Sequence, residues 1–405
     1  MKIAFLSAFF PYRGGIAQFG DNLVKTLKEK KGCEVDAFTF SKQYPRLLFP
    51  GKTQFVSEDD KQGMEQGQYV HAQRILDTTK PFSWPKTARI IAQGAPDVVI
   101  IRYWTPYLAL PMGSVARLIK KRLPNVQMVA FVDNAVPHEN RPLDIPLTRW
   151  FLKAFDAFVI MSKAVERDLH NMTLAKAAAN DPNALYTKVF RDELSNNTSY
   201  RNILVQPHPV FNHFGNLVDK TEARRHLGID LNLKTLLFFG FIRDYKGLDL
   251  VIDAMDFLDD SYQLVIAGEC YGSFTKYQQA IDMSYADTRI YVFNQFIPDA
   301  EVTYFFSAAD VCVQPYKSAT QSGISATAYC FDLPIIVTDV GGLRETVAHA
   351  GTGLVADAVS PVSIANAIKS FFSCDREPFV QAVREQKKKL SWDSFADAIL
   401  KFLQK

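Results

Sequence analysis

The sequence predicts an α/β protein with two doubly wound domains, each built on a parallel sheet that helices cover. Short apolar runs rich in β-branched residues alternate with segments of helical period along the whole chain. This alternation forms two successive series, which a pair of prolines near the middle of the chain separates. The 405 residues are also enough to form two separate hydrophobic cores.

The apolar runs predict the strands of each series. In the first series we expect strands at residues 2–8, 35–40, 98–102, 127–132, 157–161 and 202–205. In the second series we expect strands at residues 235–239, 263–267, 289–293, 311–314 and 334–338. Helical segments lie between them, for example at residues 16–28, 114–122, 248–258 and 361–372. Strands that alternate with helices are typical of parallel sheets, because each crossover needs a long connection.

The connection between the two domains is predicted at residues 206–209, where Pro207 and Pro209 favour an extended chain. The first domain then covers residues 1–206, and the second begins at residue 207. Residues 41–80 are polar and contain several prolines and glycines, so we expect an irregular excursion there that forms a binding loop. Residues 180–200 are expected to form a second mobile segment.

The composition is that of an ordinary soluble globular protein, with 48% hydrophobic and 22% charged residues. The five cysteines are scattered and form no CxxC pair, which argues against a zinc ribbon and favours reduced thiols in a cytosol. The N-terminus runs directly into a predicted strand, so no signal peptide is expected. No apolar stretch approaches the ~18 residues of a membrane span. We therefore expect a cytoplasmic protein.

The net charge of +3 is unevenly distributed. Residues 1–206 contain 28 Lys and Arg and 19 Asp and Glu, whereas residues 207–405 contain 18 and 24. A basic N-terminal half favours an anionic partner such as a membrane surface, and compositional drift is the alternative. Two segments are candidates for a peripheral membrane contact, residues 117–122 and 150–155, although a helix that covers the sheet would have the same pattern. Nucleic acid is not expected, because no binding motif accompanies the charge.

Gly14 and Gly15 lie between the first predicted strand and the first helix. Glycines at this position allow the backbone to approach a ligand closely, and a helix N-terminus favours an anion. A complete G-x-G-x-x-G motif is absent, which argues against a nicotinamide dehydrogenase. A simple tight turn is the alternative.

Two loops of the second series carry the strongest signals. Residues 240–247 follow a predicted strand and contain Arg243 and Lys246, which are suited to neutralising a diphosphate leaving group. Residues 315–325 follow another strand and enter a helix, so their amides and the positive end of the helix dipole predict a phosphate cradle. The cradle residues are Thr320, Gln321, Ser322, Gly323 and Ile324. The alternatives are solvated surface charge for the first loop and simple N-caps for Thr320 or Ser322 in the second.

With these motifs, a glycine turn at residues 338–342 and a terminal helix that begins near Ser391-Trp392, the chain resembles the family-4 retaining glycosyltransferases. The resemblance covers nearly the whole chain. It implies the GT-B fold, in which two Rossmann-like domains face each other across a cleft. Residues 1–206 would bind the acceptor, residues 207–385 would bind a nucleoside diphosphate sugar, and a helix within residues 386–405 would cross back to the first domain. It also implies retention of the anomeric configuration, no obligatory metal and no cofactor besides the sugar nucleotide.

Some positions depart from the family pattern. Many relatives have a Glu-x7-Glu motif, and here Ala319 and Thr327 occupy the two glutamate positions. Relatives usually have an arginine directly after the glycine of the first loop, where this chain has Phe241, so Arg243 is the expected substitute. Thr327 and Phe296 are included in the predicted donor site, Phe296 as a ring that stacks on the base or as a half-buried core residue.

The acceptor side has two further candidates. Asp133 occupies the place where relatives often have a catalytic histidine at a strand end, and His138 follows five residues later in the same loop. Either side chain is suited to orienting the acceptor hydroxyl or contacting the sugar. A local contact of His138 within its own loop is the alternative.

We therefore expect a retaining hexosyltransferase that transfers a sugar to a glycan or lipid-linked acceptor in polysaccharide or glycoconjugate biosynthesis, at the inner face of the membrane. Two other enzymes on the same scaffold are alternatives, a sugar-nucleotide epimerase and a phosphorylase. A non-catalytic partner that binds a sugar nucleotide or glycan is a third alternative, which the missing glutamate pair motivates.

Overall fold

The computed structural model describes residues 1–45, 53–56, 69–136, 142–178, 202–211 and 214–404. The contacts among Cα atoms divide the chain into two compact units. The N-terminal unit contains the described residues up to Pro207 together with residues 392–404, and the C-terminal unit contains the described residues from His208 to Ser391. The predicted mobile segment at residues 180–200 lies outside the described residues.

The N-terminal unit is built on a parallel sheet with the order β3-β2-β1-β4-β5-β6-β7. Its strands are β1 Lys2–Leu6, β2 Glu34–Lys42, β3 Gln73–Asp77, β4 Val98–Tyr103, β5 Gln127–Val132, β6 Ala157–Ile160 and β7 Ile203–Val205. The described helices of this unit are α1 Gly15–Lys25, α2 Trp84–Gln93, α3 Ala109–Arg122, α4 Asp144–Leu152 and α5 Lys163–Ala178. Every residue of β4 is buried, as expected for a central parallel strand with both faces covered.

The C-terminal unit repeats this arrangement with the order β10-β9-β8-β11-β12-β13, again all parallel. Its strands are β8 Lys234–Phe239, β9 Tyr262–Ala267, β10 Ile290–Phe293, β11 Val311–Gln314, β12 Ile335–Thr338 and β13 Gly353–Ala356. Its helices are α6 Lys220–Leu227, α7 Leu248–Met255, α8 Thr275–Met283, α9 Asp299–Ala308, α10 Gly323–Cys330, α11 Leu343–Val347, α12 Pro361–Ser373 and α13 Glu377–Lys389. The sheet and its covering helices enclose a core that is separate from the N-terminal one.

Two edge strands were not expected from the sequence. β3 lies inside residues 41–80, so the expectation of an irregular excursion is wrong for that part of the segment. Only Leu76 of this strand is buried, and Gln73 and Arg74 are exposed, so no apolar run marks it. β13 has only four residues and begins with a glycine, so its apolar run is too short to predict a strand.

The last helix, α14 Trp392–Leu403, belongs to the N-terminal unit. Phe19 of α1 packs against Trp392 and Phe395, with ring centroids 5.0 and 5.5 Å apart. Lys30 also forms an ion pair of 2.6 Å with Asp393. The apolar stripe and the charged ends of α14 together hold the end of the chain on α1. Among the described residues, no helix combines the length and the apolar character that crossing a membrane requires.

Candidate functional site

The strand order of the C-terminal unit places the loops that follow β8 and β11 side by side. These two strands pair with each other, and the chain reverses its direction of winding between them. In open α/β sheets, ligands bind outside the carboxyl ends of the strands at such a switch point. The two loops that the sequence singled out, residues 240–247 and 315–322, are the loops at this position.

Backbone contacts hold the two loops together. The Lys317 N–H donates to the carbonyl oxygen of Tyr245 at 2.7 Å. Gly247 has a φ of +67°, and a Cβ at this position would lie 2.0 Å from the carbonyl oxygen of Pro315. Only glycine combines this conformation with such a close approach. The sequence therefore fixes the spacing of the two loops through one residue without a side chain.

Lys246 is buried between these loops, with 9% of its surface exposed. A Cβ at Gly240 would lie 3.3 Å from the Lys246 Nζ and 2.9 Å from the Cδ1 of Ile324, so the ammonium lies close to the first turn of α10. Burial, together with the charge of Arg243, lowers the pKa of Lys246 to about 8. Within the described chain, the ammonium forms no hydrogen bond or ion pair with another residue. A buried cation in this state is stabilised by a bound anion.

Arg243 lies in the same loop and is exposed. Its guanidinium carbon is 5.9 Å from the ring centroid of Tyr245 and 5.5 Å from that of Tyr271. The one acidic residue of the loop, Asp244, pairs with Lys276 and Lys317, and these cations hold the pKa of its carboxyl below the usual range. The negative charge of the loop is thus engaged elsewhere, and the loop presents two cations to a ligand.

The loop before α10 supplies polar groups. The Ser322 Oγ accepts from the N–H of Ile324 at 3.2 Å and is the N-cap of the helix. Thr320 is buried, and the Oε1 of Gln321 is a buried acceptor without a hydrogen-bond partner in the described residues. Such an acceptor needs a donor from a ligand or water. Thr327 is 3% exposed and donates to the carbonyl of Gly323 at 3.1 Å, so its hydroxyl stabilises the first turn of α10.

Phe296 follows β10 and belongs to a half-buried aromatic cluster beside the first loop. Its ring centroid is 6.4 Å from that of Phe241, which in turn is 4.7 Å from that of Tyr271. The structure thus brings Phe296 and Phe241 to the edge of the sheet that carries Arg243 and Lys246. A ring at this position is suited to stacking on a planar base.

In the N-terminal unit, Asp133 follows β5 and forms a buried ion pair with Arg102 of β4. The Nε and Nη2 of Arg102 donate to its two carboxylate oxygens at 2.8 and 2.9 Å. The Arg102 Nη1 donates to the carbonyl of Ile16 at 3.1 Å, directly after Gly14 and Gly15. Asp133 was predicted to have a catalytic role, but both of its carboxylate oxygens already accept hydrogen bonds from Arg102. Sequence reasoning missed Arg102 because it lies within an apolar strand pattern.

Gly14 and Gly15 form the turn into α1 as the sequence predicts. Gly14 has a φ of +97° and is the N-cap of the helix, and the space where Gly15 would carry a Cβ is open to 4 Å. His138 lies outside the described residues. In the described part of the chain, no cluster of three or more His, Cys, Asp or Glu side chains is placed to hold a metal ion.

Asp21 on α1 is a buried carboxylate that the sequence analysis did not identify. Its Oδ1 accepts from the N–H of Val70 at 3.0 Å, and its Oδ2 has no hydrogen-bond partner within the described residues. Burial raises the pKa of this carboxyl to about 7. The sequence feature that could have identified it is an acidic residue on the apolar face of a helix, close to Phe19, Leu23 and Val24.

Several side chains of the basic and aromatic segments proposed for membrane contact form intramolecular contacts. The guanidinium carbon of Arg117 lies 3.8 Å from the ring centroid of Trp150, and Lys120 pairs with Asp156 at 2.9 Å. Phe151 and Phe155 are buried in the N-terminal core. These contacts favour the alternative interpretation, in which the segments are helices that cover the sheet.

The chain is similar to known glycosyltransferases in sequence. Residues 219–390 match the family model for glycosyl transferases group 1. A D-inositol 3-phosphate glycosyltransferase of Geodermatophilus obscurus is 27% identical over 192 residues, which are 45% of this chain and 42% of that protein. The match thus spans less than half the length of this curated relative. An uncharacterized glycosyltransferase of Methanocaldococcus jannaschii is 22% identical over 97% of this chain and 95% of its own.

Solved structures share the architecture along the whole chain. Sucrose-phosphate synthase from Thermosynechococcus elongatus has a TM-score of 0.69 at 18% identity, covering 100% of this chain and 98% of that one. Anabaena HepE in complex with UDP-glucose has a TM-score of 0.72 at 13% identity, covering 100% and 99%. The resemblance inferred from the sequence motifs is confirmed. Residues 219–390 thus match the glycosyl transferases group 1 family, and the whole chain has the GT-B fold of these solved structures.

Proposed function

We propose that this protein is a retaining glycosyltransferase that transfers a sugar from a nucleoside diphosphate sugar to a glycan or a lipid-linked acceptor in polysaccharide or glycoconjugate biosynthesis. The observation that carries the proposal is the buried ammonium of Lys246, which lies at the switch point of the C-terminal sheet and forms no hydrogen bond or ion pair among the described residues. A diphosphate supplies the negative charge that this position lacks. The family match supports the same reaction class.

In the proposed reaction, Lys246 and Arg243 stabilise the negative charge that develops on the diphosphate as the bond to the sugar breaks. The amides at the start of α10, within residues 321–324, bind its oxygens. The bound diphosphate favours the protonated form of Lys246, because a nearby negative charge raises the pKa of an ammonium. Phe296 supports the base of the nucleotide.

The proton of the acceptor hydroxyl goes to an oxygen of the departing diphosphate in this proposal. A strong protein base is then unnecessary, which is compatible with an Asp133 carboxylate that is already paired with Arg102. Asp133 would act by positioning the turn at Gly14 and Gly15, and His138 remains the candidate to contact the acceptor or the sugar. We propose that the N-terminal domain binds the acceptor and contacts the cytoplasmic face of a membrane.

A second candidate function is binding of a sugar nucleotide without transfer. The observation that favours it is the replacement of the family's glutamate pair by Ala319 and Thr327, because the Thr327 hydroxyl is engaged within its own helix. An epimerase is a third candidate, and it would convert the donor without an acceptor. Product analysis with and without an acceptor separates these functions.

The first test is thermal unfolding with UDP, GDP, ADP and TDP, with and without magnesium, followed by the corresponding sugar nucleotides. HepE was solved with UDP-glucose, so uridine nucleotides are the first probe. A nucleotide at 100 times its Kd stabilises the folded protein by about 2.7 kcal/mol. We expect Lys246→Ala to lose most of this stabilisation and Lys369→Ala, which removes an exposed cation of α12 outside these loops, to keep it. Equal stabilisation of wild type and Lys246→Ala would contradict the proposed donor site.

A further inference from the structure

Phe82 is the most exposed large apolar side chain among the described residues, with 97% of its surface in solvent. It lies in a 3-10 turn, Pro81–Ser83, between β3 and α2. A single exposed apolar residue is common on protein surfaces and is not by itself a binding site. Whether Phe82 belongs to a binding surface therefore depends on the hydrogen bonds, charges and neighbours of this turn.

The turn is firmly held. The Ser83 N–H donates to the carbonyl of Lys80 at 2.9 Å, and the Ser83 Oγ lies 2.7 Å from the same oxygen. The Trp84 Nε1 donates to the carbonyl of Asp77 at 3.0 Å. Phe82 is therefore displayed by an ordered turn, whose backbone would lose little conformational freedom on binding a partner.

The segment of chain around Phe82 carries only positive charges. Residues 78–96 contain Lys80, Lys86 and Arg89 and no Asp or Glu. The Lys80 side chain is 75% exposed, and Lys86 and Arg89 are exposed one turn apart on α2. The nearest carboxylate along the chain, Asp77, is mostly buried and accepts from the N–H of Thr79. It also lies 3.9 Å from the Lys80 Nζ, so it partly compensates the charge of Lys80 and leaves Lys86 and Arg89 as the stronger cations of the segment. An exposed aromatic ring between cations is typical of segments that bind membrane interfaces.

The other exposed apolar residues of the N-terminal unit lie at the same edge of its sheet. Phe55, Leu110 and Leu143 are 37%, 47% and 68% exposed, and they follow β2, β4 and β5. Phe82 follows β3, and the carboxyl ends of parallel strands meet at one edge. Of the large apolar residues that are exposed in the described part of this unit, only Met1 lies elsewhere. These four residues, Phe55, Phe82, Leu110 and Leu143, are called the apolar edge below.

We propose that the turn at residues 81–83 inserts Phe82 into the interface of an anionic membrane, where Lys80, Lys86 and Arg89 contact lipid phosphates. The contact turns the apolar edge of the N-terminal unit toward the lipid. This proposal rests on the membrane contact in the proposed function and assigns it to a surface other than residues 117–122 and 150–155. A second copy of the chain is a poorer occupant, because a symmetric contact would bring the three cations against their own copies.

The test is co-sedimentation of the full chain with vesicles of phosphatidylcholine alone and of phosphatidylcholine and phosphatidylglycerol in equal amounts. We expect binding to the anionic vesicles only. Phe82→Ala should lower the partition coefficient about tenfold, through lost apolar burial. Lys80→Ala and Lys86→Ala should each lower it about fivefold, and added salt should weaken binding.

Two variants complete the design. Phe82→Trp should keep vesicle binding, and its fluorescence should shift to the blue on binding. Tyr285→Ala removes a ring that is 91% exposed on the C-terminal unit, and it should bind vesicles as the wild type does. Because Phe82 and Tyr285 are both exposed, both alanine variants are expected to fold.

Three results would overturn the proposal. The first is that the wild type does not bind anionic vesicles. The second is that the wild type and Phe82→Ala bind them equally. The third is that the wild type forms a dimer, which Phe82→Ala dissociates, and neither protein binds vesicles. Nucleotide-induced thermal stabilisation is measured on the same proteins. Stabilisation by a nucleotide without vesicle binding overturns the membrane contact alone, whereas vesicle binding without any nucleotide effect overturns the proposed transferase and supports the contact.

Discussion

Arg102 donates to both carboxylate oxygens of Asp133, and the two side chains are almost completely buried. The same guanidinium lies 4.1 Å from the ring centroid of Phe19 and donates to the carbonyl of Ile16. The pair thus connects the carboxyl ends of β4 and β5 to the first turn of α1. In this arrangement, Asp133 compensates a buried cation that positions the turn at Gly14 and Gly15.

The first prediction concerns this ion pair. Asp133→Asn leaves the buried Arg102 guanidinium with neutral partners only, and breaking a buried pair in this way costs about 3–5 kcal/mol. Glu34→Gln is the control, because the Lys2–Glu34 pair is exposed and such pairs contribute at most about 1 kcal/mol. Urea unfolding measures both variants. Equal stability of Asp133→Asn and the wild type would show that the pair does not hold α1.

The second prediction concerns Lys246 in the absence of nucleotide. Burial and Arg243 lower its pKa from 10.5 to about 8, so between these values the unfolded chain binds more protons than the folded chain. Stability then rises with pH across this window, and at pH 7 the buried ammonium destabilises the fold by up to about 3 kcal/mol. We expect Lys246→Met to raise the thermal stability of the empty protein at pH 7 while nucleotide binding is lost. A variant that is less stable than the wild type would contradict an unpartnered ammonium.

The third prediction concerns Asp21. Burial raises its pKa from 3.8 to about 7, so between these values the folded chain holds a proton that the unfolded chain has released. Stability from this group is therefore complete below pH 4 and decreases as the pH rises to 7, by about 4 kcal/mol at most. Asp21→Asn should remove this dependence and be more stable than the wild type at pH 8. The measurement is urea unfolding at pH 5 and pH 8, and the same pH dependence in both proteins would refute it.

The fourth prediction concerns the spacing of the donor loops. Gly247→Ala places a Cβ against the Pro315 carbonyl at a φ of +67°, so it should separate the loops and weaken nucleotide binding at least tenfold, by about 1.4 kcal/mol or more. Gly228→Ala is a matched control, because Gly228 has a φ of +65° with open space around it. It should cost only about 1–2 kcal/mol of stability through backbone strain and leave nucleotide binding unchanged. Calorimetric titration with the best nucleotide compares the two, and equal affinities would refute the role of Gly247.

Much of the fold was predictable because its signals are local. The buried runs of β4 and β9 and the glycines of residues 240–247 mark strands and turns within a few residues. The edge strands β3 and β13 were not predicted, because an edge strand needs no continuous apolar run. The contacts of Arg117 and Lys120 were not predictable for a related reason, since their partners Trp150 and Asp156 are distant in sequence.

The sequence by itself determined two α/β domains, the family and the loops in which the chemistry is expected, because hydrophobic period and turn residues act over short distances. The tertiary structure alone decided which charges are compensated. It pairs Asp133 with Arg102, leaves Lys246 without an ion pair in the described part of the chain, and exposes Phe82 in a basic segment. Compensation and exposure depend on neighbours that the fold brings together from separate parts of the chain, so no local pattern specifies them.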